Sequence, residues 1–207
     1  WVTVAARYGS SFNWKTEPLA TLNSDTLDLG NTIQNSRVVQ LNPTLTLSSL
    51  YNKFGFIRNA SNPDTKNGLG KFLIGALTSL KNISGAYTRT EGTFLPGYLP
   101  KTDILGHDFD ANAPGYDFLF GSQKDIRGRA LSNGWITKDT SLNQLYVTTY
   151  KEDMNLRGTI ELLPDLRIEL TALKSQSKNY STNFRYLKSL ENFKYLSPVT
   201  TGDFSIS

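Results

Sequence analysis

The 207-residue sequence predicts an all-β fold, an antiparallel sheet of membrane-spanning strands with short helices in its loops. Three observations predict it. Apolar and polar residues alternate with period two, which puts one kind of side chain on each face of a strand. The alternation persists over about fourteen residues, where soluble strands run about five or six and a tilted membrane strand needs about nine to eleven. No apolar run reaches the roughly 18 residues of a membrane-spanning helix, a criterion that leaves spanning strands untouched.

The elements follow in chain order. In WVTVAARYGSSFNWKT, Val2, Val4, Ala6, Tyr8, Phe12 and Trp14 share one parity, interrupted by Ser10. Thr3, Ala5, Arg7, Gly9, Ser11, Asn13 and Lys15 hold the other. The first set is expected to face lipid, with Tyr8, Phe12 and Trp14 in an interfacial aromatic girdle. SRVVQLNPTLTL predicts a second strand, with Val39, Leu41, Leu45 and Leu47 on one side. Leu47, Leu50, Tyr51 and Phe54 then recur at helical spacing, as do Phe72, Leu73, Ala76, Leu77 and Leu80. Both predict short loop helices, separated by the polar turn NASNPDTKNG.

NISGAYTRTE and YDFLFG read as further strands, and IRGRALSNG as a helical turn closed by Gly134. In YVTTYKEDMNLRGTIEL, Tyr146, Thr148, Tyr150, Met154, Leu156, Ile160 and Leu162 oppose Lys151, Asp153, Asn155, Arg157, Thr159 and Glu161. ELLPDLRIEL turns tightly at Pro164–Asp165 into a strand in which Leu166, Ile168, Leu170 and Ala172 share a face. GDFSIS places Phe204 and Ile206 on one face of a last strand. At the usual strand-plus-loop length the chain would supply about seven to nine strands. It begins and ends within strand patterns whose edges need partners, so residues 1–207 are expected to be part of one larger β domain, with no second domain.

Composition narrows the function classes. The 22 Lys+Arg and 18 Asp+Glu leave +4, scattered singly, without the basic stripe of a nucleic-acid binder. The absence of cysteine removes disulfide and thiolate chemistry, and Trp1 is not preceded by the basic region of a signal peptide. DFDAN supplies Asp108, Asp110 and Asn112 in calcium-loop order, but Ala113 stands where the loop needs glycine and Leu119 where it needs glutamate. His107, the one histidine, lacks a zinc or triad partner and reads as a surface or loop residue. Glu91, Asp103, Asp108, Asp110 and Asp117 would admit a glycosidase carboxylate pair, or equally the polar lining of a lumen or loop. GLGKFLIG lacks the order of a phosphate loop. The sequence therefore predicts no catalytic, metal or cofactor site.

Residues 89–137 form a Gly-, Pro- and aromatic-rich loop block. Its phrases TRTEGTFLPGYLP, APGYDFLFGSQKDIR and NGWIT resemble, in this order, the SprA family, called Sov in some members. LGNTIQNSRVVQLNPTL ahead and NLRGTIELLPDLRIELTA behind are similar to the same family, so the resemblance covers roughly Gly30–Ala172. The family forms the outer-membrane translocon of the type IX secretion system and serves gliding motility. The resemblance implies a very large single-chain transmembrane β-barrel, of which this chain is one arc, in the bacterial outer membrane. It implies a pore that passes folded cargo proteins, without cofactor or catalysis. It also implies a PorV-type barrel protein and a periplasmic plug protein as partners. Phe94, Pro96, Tyr98, Tyr116, Phe118 and Phe120 of the block are the residues expected to narrow the lumen or touch a partner. The alternatives are a secreted β-sandwich or adhesin module, whose apolar faces would pack a soluble core, and another large outer-membrane barrel transporter. Strands of soluble sandwiches average about five to six residues, which favours the membrane.

Overall fold

The computed structural model of the chain describes residues 1–16, 27–55, 57, 75, 78–163 and 166–207. Six strands form one antiparallel sheet in the order β1 (Val2–Lys15), β2 (Asn31–Thr46), β3 (Leu80–Tyr98), β4 (Leu145–Leu163), β5 (Leu166–Leu187) and β6 (Asn192–Ile206). Each strand pairs with its chain neighbour, and β1 does not pair with β6, so the sheet is open. The described residues hold six strands rather than seven to nine because the strands are long, from 14 residues in β1 to 22 in β5. Among the described residues no helix is long and apolar enough to cross a membrane.

Helical structure is short: α1 (Leu47–Tyr51), α2 (Tyr116–Leu119), α3 (Arg127–Ser132) and a 3-10 turn at Ile104–Gly106. α1 begins where the helical spacing of Leu47, Leu50 and Tyr51 starts. α3 is the expected turn, with Gly134 just beyond it at φ 68°. YDFLFG corrects the expectation of a strand. Its apolar run is α2, which buries Phe118 and Leu119 and leaves Tyr116 and Phe120 outside. A run this short has no periodicity that separates a strand from one helical turn. Leu80 belongs to β3 rather than to a helix, and residues 89–98 of the expected loop block are the second half of β3. The expected helix over Phe72–Leu77, the NASNPDTKNG turn and the Pro164–Asp165 turn lie outside the described residues.

The buried core lies at one end of one sheet face. Ile33, Leu95, Tyr98, Tyr146 and Phe184 come from the strands. Ala113, Phe118, Ile126, Ala130, Trp135 and Ile136 come from the segment between β3 and β4, which folds back over them.

Candidate functional site: a two-faced wall and its cap

The register divides the sheet into two chemically different faces. One carries Val2, Val4 and Ala6 of β1, Leu41, Pro43 and Leu45 of β2, and Ile83 of β3. The same face continues through Met154 and Leu156 of β4 to Leu170 and Ala172 of β5. Val4 is 57% exposed and Leu170 54%, while Pro43, Leu45, Ile83 and Met154 in the middle of the belt are half-buried. The opposite face carries Ser11 and Asn13, Gln34, Ser36 and Gln40, Ser84 and Thr88, Asp153 and Asn155, and Ser175, Ser177 and Asn179. Val38, Val147 and Leu173 are among its apolar exceptions. Strands achieve this segregation because neighbours along the chain point to opposite sides.

Above the apolar belt, on the same face, lies a charged layer. Arg37, Glu91, Tyr150 and Lys178 are successive cross-strand partners, and Arg89, Glu152 and Gln176 form the adjacent row. Glu91 is buried between two guanidiniums. Arg37 donates through Nε and Nη2 to Oε2 at 2.8 and 2.6 Å, and Arg89 donates to Oε1 at 2.7 Å. Glu152 accepts from Lys174 at 2.8 Å, from Tyr87 at 3.3 Å and from Tyr150. Glu91 and Tyr150 were singled out by the sequence for other reasons, and the layer they form was not read from it, although a signal was present: Ser10, Arg37 and Glu152 each interrupt an apolar parity.

The segment from Leu99 to Gln144 caps the end of this face and is tied to every strand. Phe12 packs edge-on against Phe118, with centroids 6.2 Å apart. Asn35 donates to the Phe118 and Ser122 carbonyls, both at 2.9 Å, and Thr93 donates to Gln123 at 2.9 Å. Arg127 forms a bidentate pair with Asp125 and lies 4.3 Å from the Tyr146 ring and 4.4 Å from that of Tyr195. One guanidinium thereby joins the cap to β4 and β6 through cation–π contacts. The Ser10 interruption also finds its reason. Gly121, at φ 85°, sits where a Cβ would come 3.0 Å from the Cβ atoms of Ser10 and Arg37, so a larger residue at position 10 would push the cap away.

The expected lipid-facing set divides accordingly. Val2, Val4, Ala6 and Tyr8 are exposed, whereas Phe12 and Trp14 are half-buried against the cap. The six loop residues do not converge. Phe94 and Pro96 lie on the polar face, Phe94 half-buried and Pro96 buried. Tyr98 and Phe118 are in the core, and Tyr116 and Phe120 stand on the outer surface of the cap, 53% and 65% exposed.

His107 lies in a loop, as one of the two expectations had it, but not at the surface. It is buried, stacked on Tyr116 with centroids 4.5 Å apart and tilted against Phe109. Asp108, the first residue of DFDAN, folds the loop. Its carboxylate accepts backbone N–H bonds from Lys101 (2.9 Å), Asp110 (3.0 Å) and Ala111 (2.9 Å). The Ala111 bond and its two companions hold this carboxyl below the usual range. Its stabilisation is therefore present above the unfolded-state value of about 3.9 and is lost as pH falls through the lower folded value. The Asp108→Ala variant orphans three N–H donors and should weaken the loop locally by about 1–2 kcal/mol. Faster amide exchange across residues 101–113 at neutral pH is the expected readout. Wild-type exchange at neutral pH would exclude this role for the carboxylate. Among the other carboxylates weighed for catalysis, Asp117 is paired with Arg129 at 2.8 Å.

No protein-family model matches the chain, and no curated protein matches it.

Proposed function

We propose that the chain is an arc of a transmembrane β-barrel wall in a bacterial outer membrane, and that the barrel is a protein-conducting translocon of the type IX secretion kind. The observation that carries the membrane reading is the segregation of the faces. An apolar belt, exposed or half-buried along its length, continues from β1 to β5, backed by a face of small polar side chains and charges of both signs. A wall between lipid and an aqueous pore needs this division. The free edges of β1 and β6, on strands of 14 and 15 residues, suit a sheet whose neighbours continue on both sides. The translocon assignment rests on the resemblance of residues 30–172. On that reading, folded cargo passes along the polar face, where hydroxyl and amide side chains predominate and leave little apolar surface to hold it. A PorV-type barrel and a periplasmic plug protein are the partners, and the protein performs no reaction.

Cysteine scanning of positions 2 to 16 in membrane vesicles carrying the native protein tests the wall. Odd positions should react with a water-soluble maleimide, and positions 2, 4, 6 and 8 only with a lipid-confined reagent. Positions 12 and 14 should resist both because the cap covers them. Protection of 2, 4, 6 and 8 from both reagents would mean that protein covers the belt, as in a soluble sandwich, and the wall would be abandoned. Interruption of cargo export by pore-blocking adducts at odd positions tests the translocon separately.

A further inference from the structure

The cap holds a rigid core yet presents apolar side chains outward. Ile104 is 72% exposed, Leu105 82%, Phe109 57% and Phe120 65%. Leu105 is also held at φ 57°, the left-handed region that a branched residue enters at a cost and that glycine enters freely. A leucine that gains no burial from a strained position has its reason outside the described chain.

Contacts show where this surface lies. The Tyr8 hydroxyl, at the top of the β1 belt, donates to the Phe120 carbonyl. Phe120 and Tyr116 lie one helical turn apart, joined by the Phe120 N–H to Tyr116 carbonyl bond of 2.9 Å. Tyr116 stacks on His107, which touches Phe109. The turn bearing Ile104 and Leu105 closes onto His107 through its N–H bond to the Ile104 carbonyl. The exposed side chains of the rim are thus linked to the apolar face of β1, Phe120 directly through Tyr8 and the turn at Ile104–Gly106 through buried His107. Exposed Asp103 and Asp110 flank it, and carboxylates are costly in hydrocarbon but not among headgroups.

We infer that the outer rim of the cap, with Leu105 at its tip, is a membrane-interface anchor that rests in the lipid headgroup layer beside the wall. The inference depends on the wall reading, and adds to it that the cap holds lipid on the outside rather than shaping the pore. The Tyr116 ring suits that layer, where one end of a residue is apolar and the other wet, and phenylalanine and leucine side chains bury at its acyl boundary.

Fluorophore-labelled single-cysteine variants of the native protein, in vesicles with nitroxide lipids, test it. V4C should be quenched most by a mid-chain nitroxide. L105C and F109C should be quenched most by a headgroup-level nitroxide, several-fold above S11C on the polar face. Quenching at V4C without quenching at L105C overturns the anchor and leaves the wall standing. Quenching at neither overturns both. Lipid-insensitive L105C that crosslinks to another protein in intact cells would assign the rim to a protein partner and also overturn the anchor. The L105G variant separates a structural role from a contact role. It should keep or slow amide exchange in the 103–107 turn, because glycine relieves φ 57°, while headgroup-level quenching of F109C falls. Accelerated exchange in that turn would make Leu105 a structural residue and count against the anchor.

Discussion

Arginine at position 156 is expected to cost the native protein about 2–4 kcal/mol, whereas arginine at position 155 should leave its stability nearly unchanged. The two positions are neighbours on β4 and differ only in face. Leu156 stands between Gly85 and Ala172, in the middle of the apolar belt. Nothing there pairs with a guanidinium: the adjacent residues of the same face on β4 are Met154 and Gly158. Arginine in that place must lose water or drag it into lipid. Asn155 stands between Ala86 and Leu173 on the polar face, with Asp153 on one side along the strand and Arg157 on the other. A new cation there meets one charge of each sign and open solvent. The urea concentration at which the heat-resistant folded band disappears from gels would measure the pair. Equal effects of the two substitutions would remove the lipid assignment. A larger effect at position 155 would put the pore on the other face.

The same arrangement explains how much the sequence reveals. β1 was legible almost to the residue because fourteen alternating positions leave no other period available, and β4 for the same reason, whereas β5 was read only as far as Ala172 although it runs to Leu187. β6 was legible only from Gly202 onward. Its earlier half contains Pro198 and a register shift opposite Ser181–Asn183, which break the alternation. The charged layer was hidden for a geometric reason. Ser10, Arg37, Glu91 and Lys178 look like isolated faults in four separate strands, and only pairing aligns them in one row. The cap was the least legible part. Phe118 and Phe120 stand two residues apart in one apolar run, yet the first is buried and the second exposed, because the run is a helical turn at Tyr116–Leu119.

Replacement of Glu91 by glutamine is expected to destabilise the sheet by about 3 kcal/mol, the lower end of the range for removing one partner from a buried ion pair. The lower end applies because the flanking side chains retain some water, Arg37 at 28% and Arg89 at 39% exposure. Glutamine keeps the volume of glutamate but removes the charge, so the guanidiniums of Arg37 on the neighbouring strand and Arg89 two residues along the same strand lose the anion between them. One amide oxygen cannot accept from both arginines in the present geometry, where each carboxylate oxygen serves a different one. Next to lipid the loss is felt more than on an aqueous surface, because the belt begins at Val39, two residues from Arg37, and at Tyr87, two residues from Arg89. A double-mutant cycle isolates the interaction. In an Arg37→Met background, E91Q should cost less than in the wild type, leaving a coupling of about 1–3 kcal/mol. If E91Q instead shifted the unfolding midpoint by an amount worth less than about 0.5 kcal/mol, the layer would be a solvated surface network of the kind that contributes little. The boundary between lipid and water would then have to lie lower on the sheet, below Arg89.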